Sequence, residues 1–594
     1  MNLHQGRQDM IGHDIILPKN SKILDKELIA MGASSFHRRN WHNAPTKAQS
    51  LSNRATCQRC WVITLAIGLL VGFGSSVTFS QPLVVGSADC PDLKSATKVS
   101  GERTIVIETP QQVTQDLIFP PNLHLLFRDR GRLVKSASLK KVRVTIQGSV
   151  TAPIRTIFEG FEPGEVNLGG ATEQERNTRF WRRGVRTRIR EVYPQWWGAK
   201  GDGKADDTDA LQCAVDAASN VFLPFGSYRI TRPLDITNKR DGFRLMGYSR
   251  YPEGRGSEII ADTGGVALDL TGSTLVTIED ISIRSGNTGP STVGILMGRE
   301  QVYRFCGHNS LARVRIDLRS NMKANGGRGT VGIYNSEAEE CIMTDCFIYA
   351  DVPLVLTTGN PYGIAWPHRR YDSMGSMSAV TLLRCSFMTF LGPAIHLVNA
   401  VSIQFIGCNL YALKRPPDSP IVRHRIEKTQ WAIKVEGRFA MNISFRGHIE
   451  QWHKLLHVAT RMIGCRFEGD MTGISSHSSP LIFVDGSGSN PARLEHCTFN
   501  IRGFEEFFQR GKDTSHVYLK VSGKNAQGVI GCTFHVHKGQ SFEIDTGVFQ
   551  GNMIYSSDPN TVIKINSKVR RASYVLCSPA GIEIVGTRSP SKHR

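Results

Sequence analysis

One short phrase recurs through the middle and C-terminal thirds of the chain, and it restricts the fold more than any other feature. It consists of an apolar residue, a small or polar residue, Cys, any residue, and an apolar residue. It stands at Thr344-Asp345-Cys346-Phe347-Ile348, Leu383-Arg384-Cys385-Ser386-Phe387 and Ile406-Gly407-Cys408-Asn409-Leu410. It returns at Ile463-Gly464-Cys465-Arg466-Phe467, Glu495-His496-Cys497-Thr498-Phe499 and Ile530-Gly531-Cys532-Thr533-Phe534, and Ile281 fills the Cys place in an earlier copy. Successive Cys lie 39, 23, 57, 32 and 35 residues apart. A strict solenoid would hold one period, whereas stacked coils tolerate loops of any length between their strands. Cys and the residue two places later share a face of a strand. Coils stacked in register would therefore carry one inward Cys ladder with about 4.8 Å between neighbours. Cys is small and readily buried. Parallel side-chain vectors suit disulfides badly, and these Cys have no His or Cys neighbours at metal-ligand spacing. Buried thiols are expected.

The sequence around these phrases agrees. Thr104–Glu108, Asn122–Phe127 and Val142–Gln147 alternate apolar and polar residues, as half-buried strands must. Gly 57 fits a strand-and-turn protein better than a helical bundle. One helix is expected over 207–219, with Asp207 or Thr208 as its cap and Ala210, Leu211, Ala214 and Val215 on its apolar face. The expected class is all-β: a right-handed parallel β-helix with one short capping helix.

The N-terminus reads differently. Residues 1–60 form a basic leader without an apolar pattern, expected to be disordered. Within 61–88, Trp61 to Val77 is uncharged and follows Arg54 and Arg59, which fits a signal peptide or a membrane anchor. Residues 102–190 are expected to form strands leading into a β-helix over 191–565, with a tail at 566–594. Secretion or attachment to the cell envelope follows from this reading. The net charge is +20, of which the first sixty residues supply about a quarter. A basic body attracts polyanions. No nucleic-acid-binding motif is present, which leaves an acidic glycan as the expected partner. No cofactor motif and no metal-ligand set is visible. Membrane contact is expected only through the N-terminal segment, and the oligomeric state is not encoded.

Residues 191–216, EVYPQWWGAKGDGKADDTDALQCAVD, followed by VFLPFGSYRI at 221–230, resemble the opening segment of the rhamnogalacturonase- and epimerase-like branch of the pectate-lyase superfamily. The resemblance rests on Gly198, Ala199, Gly201, Asp202, Gly203, Asp206, Asp207, Thr208, Gln212, Pro224, Gly226 and Tyr228. It implies a right-handed β-helix and a polysaccharide ligand. Within this segment Asp202, Asp206 and Asp207 are expected to serve structure, since glycines and a helix start surround them. The family's polygalacturonase signatures do not carry over: Gly307-His308-Asn309 and Gly447-His448-Ile449 lack the second Gly of Gly-His-Gly. The Trp-x-Asp-His and Arg-x-Pro-x-x-Arg signatures of pectate lyases are missing too.

Stacking the phrases gives a candidate site. The coil at 443–450 lacks its Cys; placing Gly447 there puts Glu450 in one outward column with Glu468, 18 residues on. Adjacent carboxylates could approach the roughly 5–5.5 Å separation of a retaining glycosidase, and their repulsion would keep one protonated. His448 and Arg466 would flank them as proton relay and clamp. Tyr411 would stack on a sugar ring, with Asn409, Asn500 and Trp452 completing the binding residues. A slip of one residue, with His448 in the Cys place, would turn His448 and Glu450 inward. A lyase would instead need a Lys, Arg or Tyr base near the C5 proton of a uronate and a cation on its carboxylate; an epimerase shares that proton abstraction. A non-catalytic, tailspike-like carbohydrate-binding β-helix is the reading from a different class. His368 to Asp372, and Arg423, His424, Arg425 and Lys428, are further polar clusters that could meet a glycan.

Overall fold

The computed structural model describes residues 81–168, 191–240, 242–250, 256–299, 306–321, 323–365, 377–390, 392–412, 431–450, 452, 454–472, 480–503, 516–537 and 540–585. The basic leader, the apolar segment at 61–77, the clusters at 368–372 and 423–428, and His453 lie outside them.

The first strands wind in three faces. Arg103–Ile107, Pro110–Val113 and Leu117–Phe119 pair in parallel with Leu123–Phe127, Arg132–Lys135 and Val144–Ile146. These pair in turn with Ser149–Thr151, Phe158–Glu159 and Val166–Leu168. Alternation drives the winding: Leu123, Leu125 and Phe127 point inward and are buried, while His124 and Leu126 are only half-buried.

The helix forms over Thr208–Ala217 and buries Ala210, Leu211, Ala214 and Val215. Its cap differs from expectation. Asp207 is buried and turned back, accepting the N–H groups of Lys200 at 2.6 Å and Gly201 at 3.0 Å. The carboxylate of Asp206 accepts the Thr208 N–H instead, at 3.0 Å. Asp202 accepts the N–H groups of Lys204 and Ala205. All three acids are thus occupied in shaping the turn.

From Asp202 on, the described strands build a right-handed parallel β-helix with 27 strands in one long sheet and 12 in a second. Most coils give two strands to the long sheet and one to the second. A residue in the left-handed backbone region makes each corner, followed by a buried inward residue, most often Cys, Val or Ile. In the coil at 340–350, Glu340 (φ 53°) precedes Cys341 and Asp345 (φ 53°) precedes Cys346. Non-glycine residues are strained there. The second corner binds its outer residues in charged pairs: Arg313 clamps Asp280 at 2.7 and 2.6 Å, and Arg384 clamps Asp345 at 2.8 and 2.7 Å.

The cysteines follow two ladders, which corrects the single column read from the sequence. Cys346, Cys385 and Cys408 stand at the second corner, just before the register-matched Phe347, Ser386 and Asn409; Gly447 and Gly469 continue that column. Cys341, Val380, Ile403, Ile443, Cys465, Cys497 and Cys532 stand at the first corner, just before the matched Ile342, Thr381, Gln404, Ser444, Arg466, Thr498 and Thr533. Both corners need the same residue types, so the phrase alone cannot tell them apart. All eleven described cysteines are free thiols. The ladder thiols donate to carbonyls of the preceding coil, as Cys385 does to Met343 O at 3.5 Å and Cys408 to Leu382 O at 3.4 Å.

Phenylalanines fill the space between the sheets. Phe467, Phe499 and Phe534 stack with centroids 5.6 and 5.4 Å apart, and each fully buried ring contributes roughly 1.5–3 kcal/mol. The sheet runs past residue 565: Arg571–Ser578 pairs in parallel with Val548–Ser556, so residues 571–585 of the expected tail continue it, and 586–594 lie outside the described residues. Gly581–Val585 then folds back antiparallel on it and is the terminal strand of that sheet among the described residues. Among the described residues no helix is long and apolar enough to cross a membrane.

Candidate active site

The second corner disappears in the middle of the β-helix. Gln404–Ala412 is one strand with a register shift at Gly407 and Cys408, and the next two, Ser444–Glu450 and Arg466–Thr472, run unbroken. Glycine makes this possible. A Cβ on Gly447 would lie 1.8 Å from Cys408 O, and one on Gly469 would lie 2.1 Å from Gly447 O. No side chain fits in that part of the column, and neighbouring backbones close up. The outer face becomes flat here, so residues that corners would splay apart stand in rows.

One row is Arg446, His448 and Glu450, alternate residues of a single strand and therefore on one face. His448 lies between Asn409 and Asp470 on the neighbouring coils, and Glu450 between Tyr411 and Thr472. Gly447 occupies the Cys place as the sequence suggested, and His448 and Glu450 face outward. His448 Nε2 stands 3.8 Å from Glu450 Oε2, and the Tyr411 and His448 rings are 6.4 Å apart. Half-burial, with Glu450 close by, pushes the Tyr411 phenol above its ordinary pKa. Arg446 is exposed and has no ion-pair partner among the described residues.

Glu468 is elsewhere. It matches Arg446, not Glu450, and so stands four residues away along the strand direction, about 13 Å at 3.3 Å per residue. It is bound to Arg466 on its own strand and neighbours Asn500, which accepts from His537 Nε2 at 3.3 Å. The expected carboxylate pair is not assembled, because Cys465 belongs to the first corner and Gly447 to the second. Trp452 is 1% exposed; it is a core residue and cannot stack on a sugar.

A second polar cluster had no signal in the sequence, because its members come from unrelated positions. Tyr362 O–H donates to His396 Nδ1 at 2.9 Å, and His396 Nε2–H donates to Glu436 at 2.9 Å. Burial holds His396 below its ordinary pKa, while His396 and Lys434 hold Glu436 at about 2. Tyr362 and His396 are closed off from solvent, and the trio pins the 358–365 excursion against the second sheet. Among the described residues no group of three or more His, Cys, Asp or Glu is placed to hold a metal ion.

Residues 195–358 match the family described as rhamnogalacturonase A/epimerase, pectate lyase-like. The chain carries a pectate-lyase-like domain. A stretch of 83 residues is 58% identical to alginate lyase 7 of Azotobacter vinelandii and covers 13% of this chain and 9% of that protein. Another, of 71 residues, is 38% identical to the capsule K3-specific depolymerase 1 of Klebsiella phage KP32 and covers 9% of this chain and 8% of that one. The chain thus matches under a tenth of the length of these curated relatives. Among solved structures, the pectate-lyase-like β-helix is similar to the Dettilon tailspike protein (TM-score 0.39, 12% identity, 63% of this chain and 68% of that one). It is also similar to the A-module of the mannuronan C-5 epimerase AlgE6 of Azotobacter vinelandii (TM-score 0.30, 13% identity, 65% and 99%). These are likenesses of fold.

Proposed function

We propose that the protein acts on an acidic polysaccharide by abstracting the C5 proton of a uronate, and that Arg446, His448, Glu450 and Tyr411 do the work. The supporting observation is the row itself: an exposed guanidinium, an imidazole and a carboxylate on one strand face, with a protonated phenol alongside. Arg446 pairs with the sugar carboxylate and stabilises the charge that develops when C5 loses its proton. His448 takes that proton, and Glu450 orients the imidazole. The electron pair of the C5–H bond then forms the C4=C5 double bond, the C4–O4 bond breaks, and Tyr411 donates its proton to the departing O4. Asn409 and Asp470 hold ring hydroxyls. If O4 stays attached, reprotonation of C5 from the opposite face gives the epimer instead. The relatives' names, an alginate lyase and a capsule depolymerase, support an extracellular polysaccharide as the substrate class. The apolar segment at 61–77 supports export.

A retaining or inverting glycosidase requires carboxyl groups about 5–5.5 Å or about 6.5–9.5 Å apart. The distance between Glu450 and Glu468 favours neither. The test is incubation with a panel of acidic polysaccharides in deuterated water. Absorbance of unsaturated uronides together with new reducing ends reports elimination, and deuterium at C5 of the polymer reports epimerisation. Reducing ends alone overturn the proposal in favour of hydrolysis, and silence across the panel overturns it in favour of a binding module.

A further inference from the structure

The turns that lead from the second sheet back to the long sheet stack at 486–491, 523–525, 545–547 and 566–570. They enclose an open cavity of about 600 Å³, the size of a small-ligand site. Lys524, Lys568 and Arg570 line it together with Asn525, Gln527 and Thr546, and its lining includes no Asp or Glu. The three cations are exposed, and none has an ion-pair partner among the described residues. Nearby cations do have partners: Lys520 and Lys564 both reach Glu543. The floor is backbone. A Cβ on Gly547 would lie 2.6 Å from the Gln527 carbonyl carbon, so the turns pack too closely for side chains to fill the cavity from beneath.

We propose that this cavity is a second, non-catalytic subsite for the carboxylates of an acidic glycan; the choice of glycan rests on the function proposed above. Three unpaired cations with amide and hydroxyl groups between them suit successive uronates of a chain, the cations taking carboxylates and the neutral groups taking ring hydroxyls. The cavity lies in later coils than His448 and on a turn face, not on the flat sheet. One polymer engaging both places would bind more tightly than its contacts at either place alone provide.

The test compares the full chain with the triple variant Lys524→Ala, Lys568→Ala, Arg570→Ala, once a thermal melt shows that both are folded. Binding of polyuronate, neutral dextran, inorganic phosphate and duplex DNA is measured by calorimetry at low and high salt. The expected result is polyuronate binding that weakens with salt and falls at least tenfold in the triple variant, with no dextran binding and weaker phosphate and DNA binding. The triple variant should keep wild-type turnover of a uronate oligomer too short to span both places, and turnover absent from both proteins with the binding difference intact would overturn the catalytic reading and leave the subsite standing. Unchanged polyuronate affinity in the triple variant would overturn the proposal. So would DNA or phosphate binding as tight as polyuronate binding, which would make the cavity a general anion patch.

Discussion

Tyr411 keeps its proton because its ring is half-buried and Glu450 stands beside it, so loss of the proton would place two negative charges side by side. A phenol in that state is a proton donor. Tyr411→Phe should therefore lower kcat by about 10²–10⁴-fold with little change in KM, as should His448→Ala. Glu468→Gln should stay within about threefold of wild type, since Glu468 is engaged with Arg466 away from the row. Initial rates on the preferred polyuronate check all three. Trp452 belongs to a different class of residue. It is buried, and its indole N–H has no partner among the described residues. Trp452→Ala should cost about 3–5 kcal/mol of stability, read by denaturant unfolding, by leaving a cavity rather than by losing a sugar contact. Single residues were legible in the sequence where their chemistry depends on strand alternation, as the outward facing of His448 and Glu450 does. Trp452 was not, because the chain leaves the strand after Glu450 and alternation no longer says which way a side chain points.

Among elements, the strand Ser444–Glu450 decides the site, and Gly447 decides the strand. In the earlier coils a left-handed residue bends the long sheet at two corners; from Ser444 on the second bend is lost and the row becomes straight. Gly447→Ala would push a methyl group into Cys408 O. It should cost about 1–3 kcal/mol and lower activity with Tyr411, His448 and Glu450 all intact, a combination that thermal melts and initial rates on one preparation would show. The same element explains why the carboxylate pair was misread. Ile443 and Cys465 are corner partners, but only Cys465 carries the recurrent phrase, while Gly447, which stands in for a Cys, belongs to the other corner. A pattern of buried inward residues reveals that the chain turns. It does not reveal which of two similar turns is being made, and that choice moves an outward carboxylate by four residues. The helix at 208–217 was legible from its apolar spacing, whereas its cap was not, since three neighbouring acids could each have filled the role.

At the scale of the whole molecule, the buried Tyr362–His396–Glu436 trio makes stability depend on pH. His396 binds its proton less readily in the folded chain than its ordinary value of 6.5. Below that value the unfolded chain takes up a proton that the folded chain refuses, so stability falls as the pH drops from 7 toward 5. Glu436 adds to this at lower pH: held at about 2 against 4.5, it contributes stability above 4.5 that is lost as the pH falls toward 2. Lys434 and His457 face the same surface and disfavour a further positive charge there. Thermal unfolding between pH 8 and 5 should show this fall, and His396→Gln should flatten it. The coil architecture is legible across the sequence because every coil repeats the same inward residues. The buried trio and the cation-lined turns were not, because they join residues from separate coils at positions no period marks. The most direct test of function is C5–H abstraction by wild type and His448→Ala on one polyuronate, followed as unsaturated product and as deuterium incorporation at C5. The expected result is a clear signal from wild type that falls at least a hundredfold in a folded variant. Equal signals from both proteins would contradict the assignment of His448.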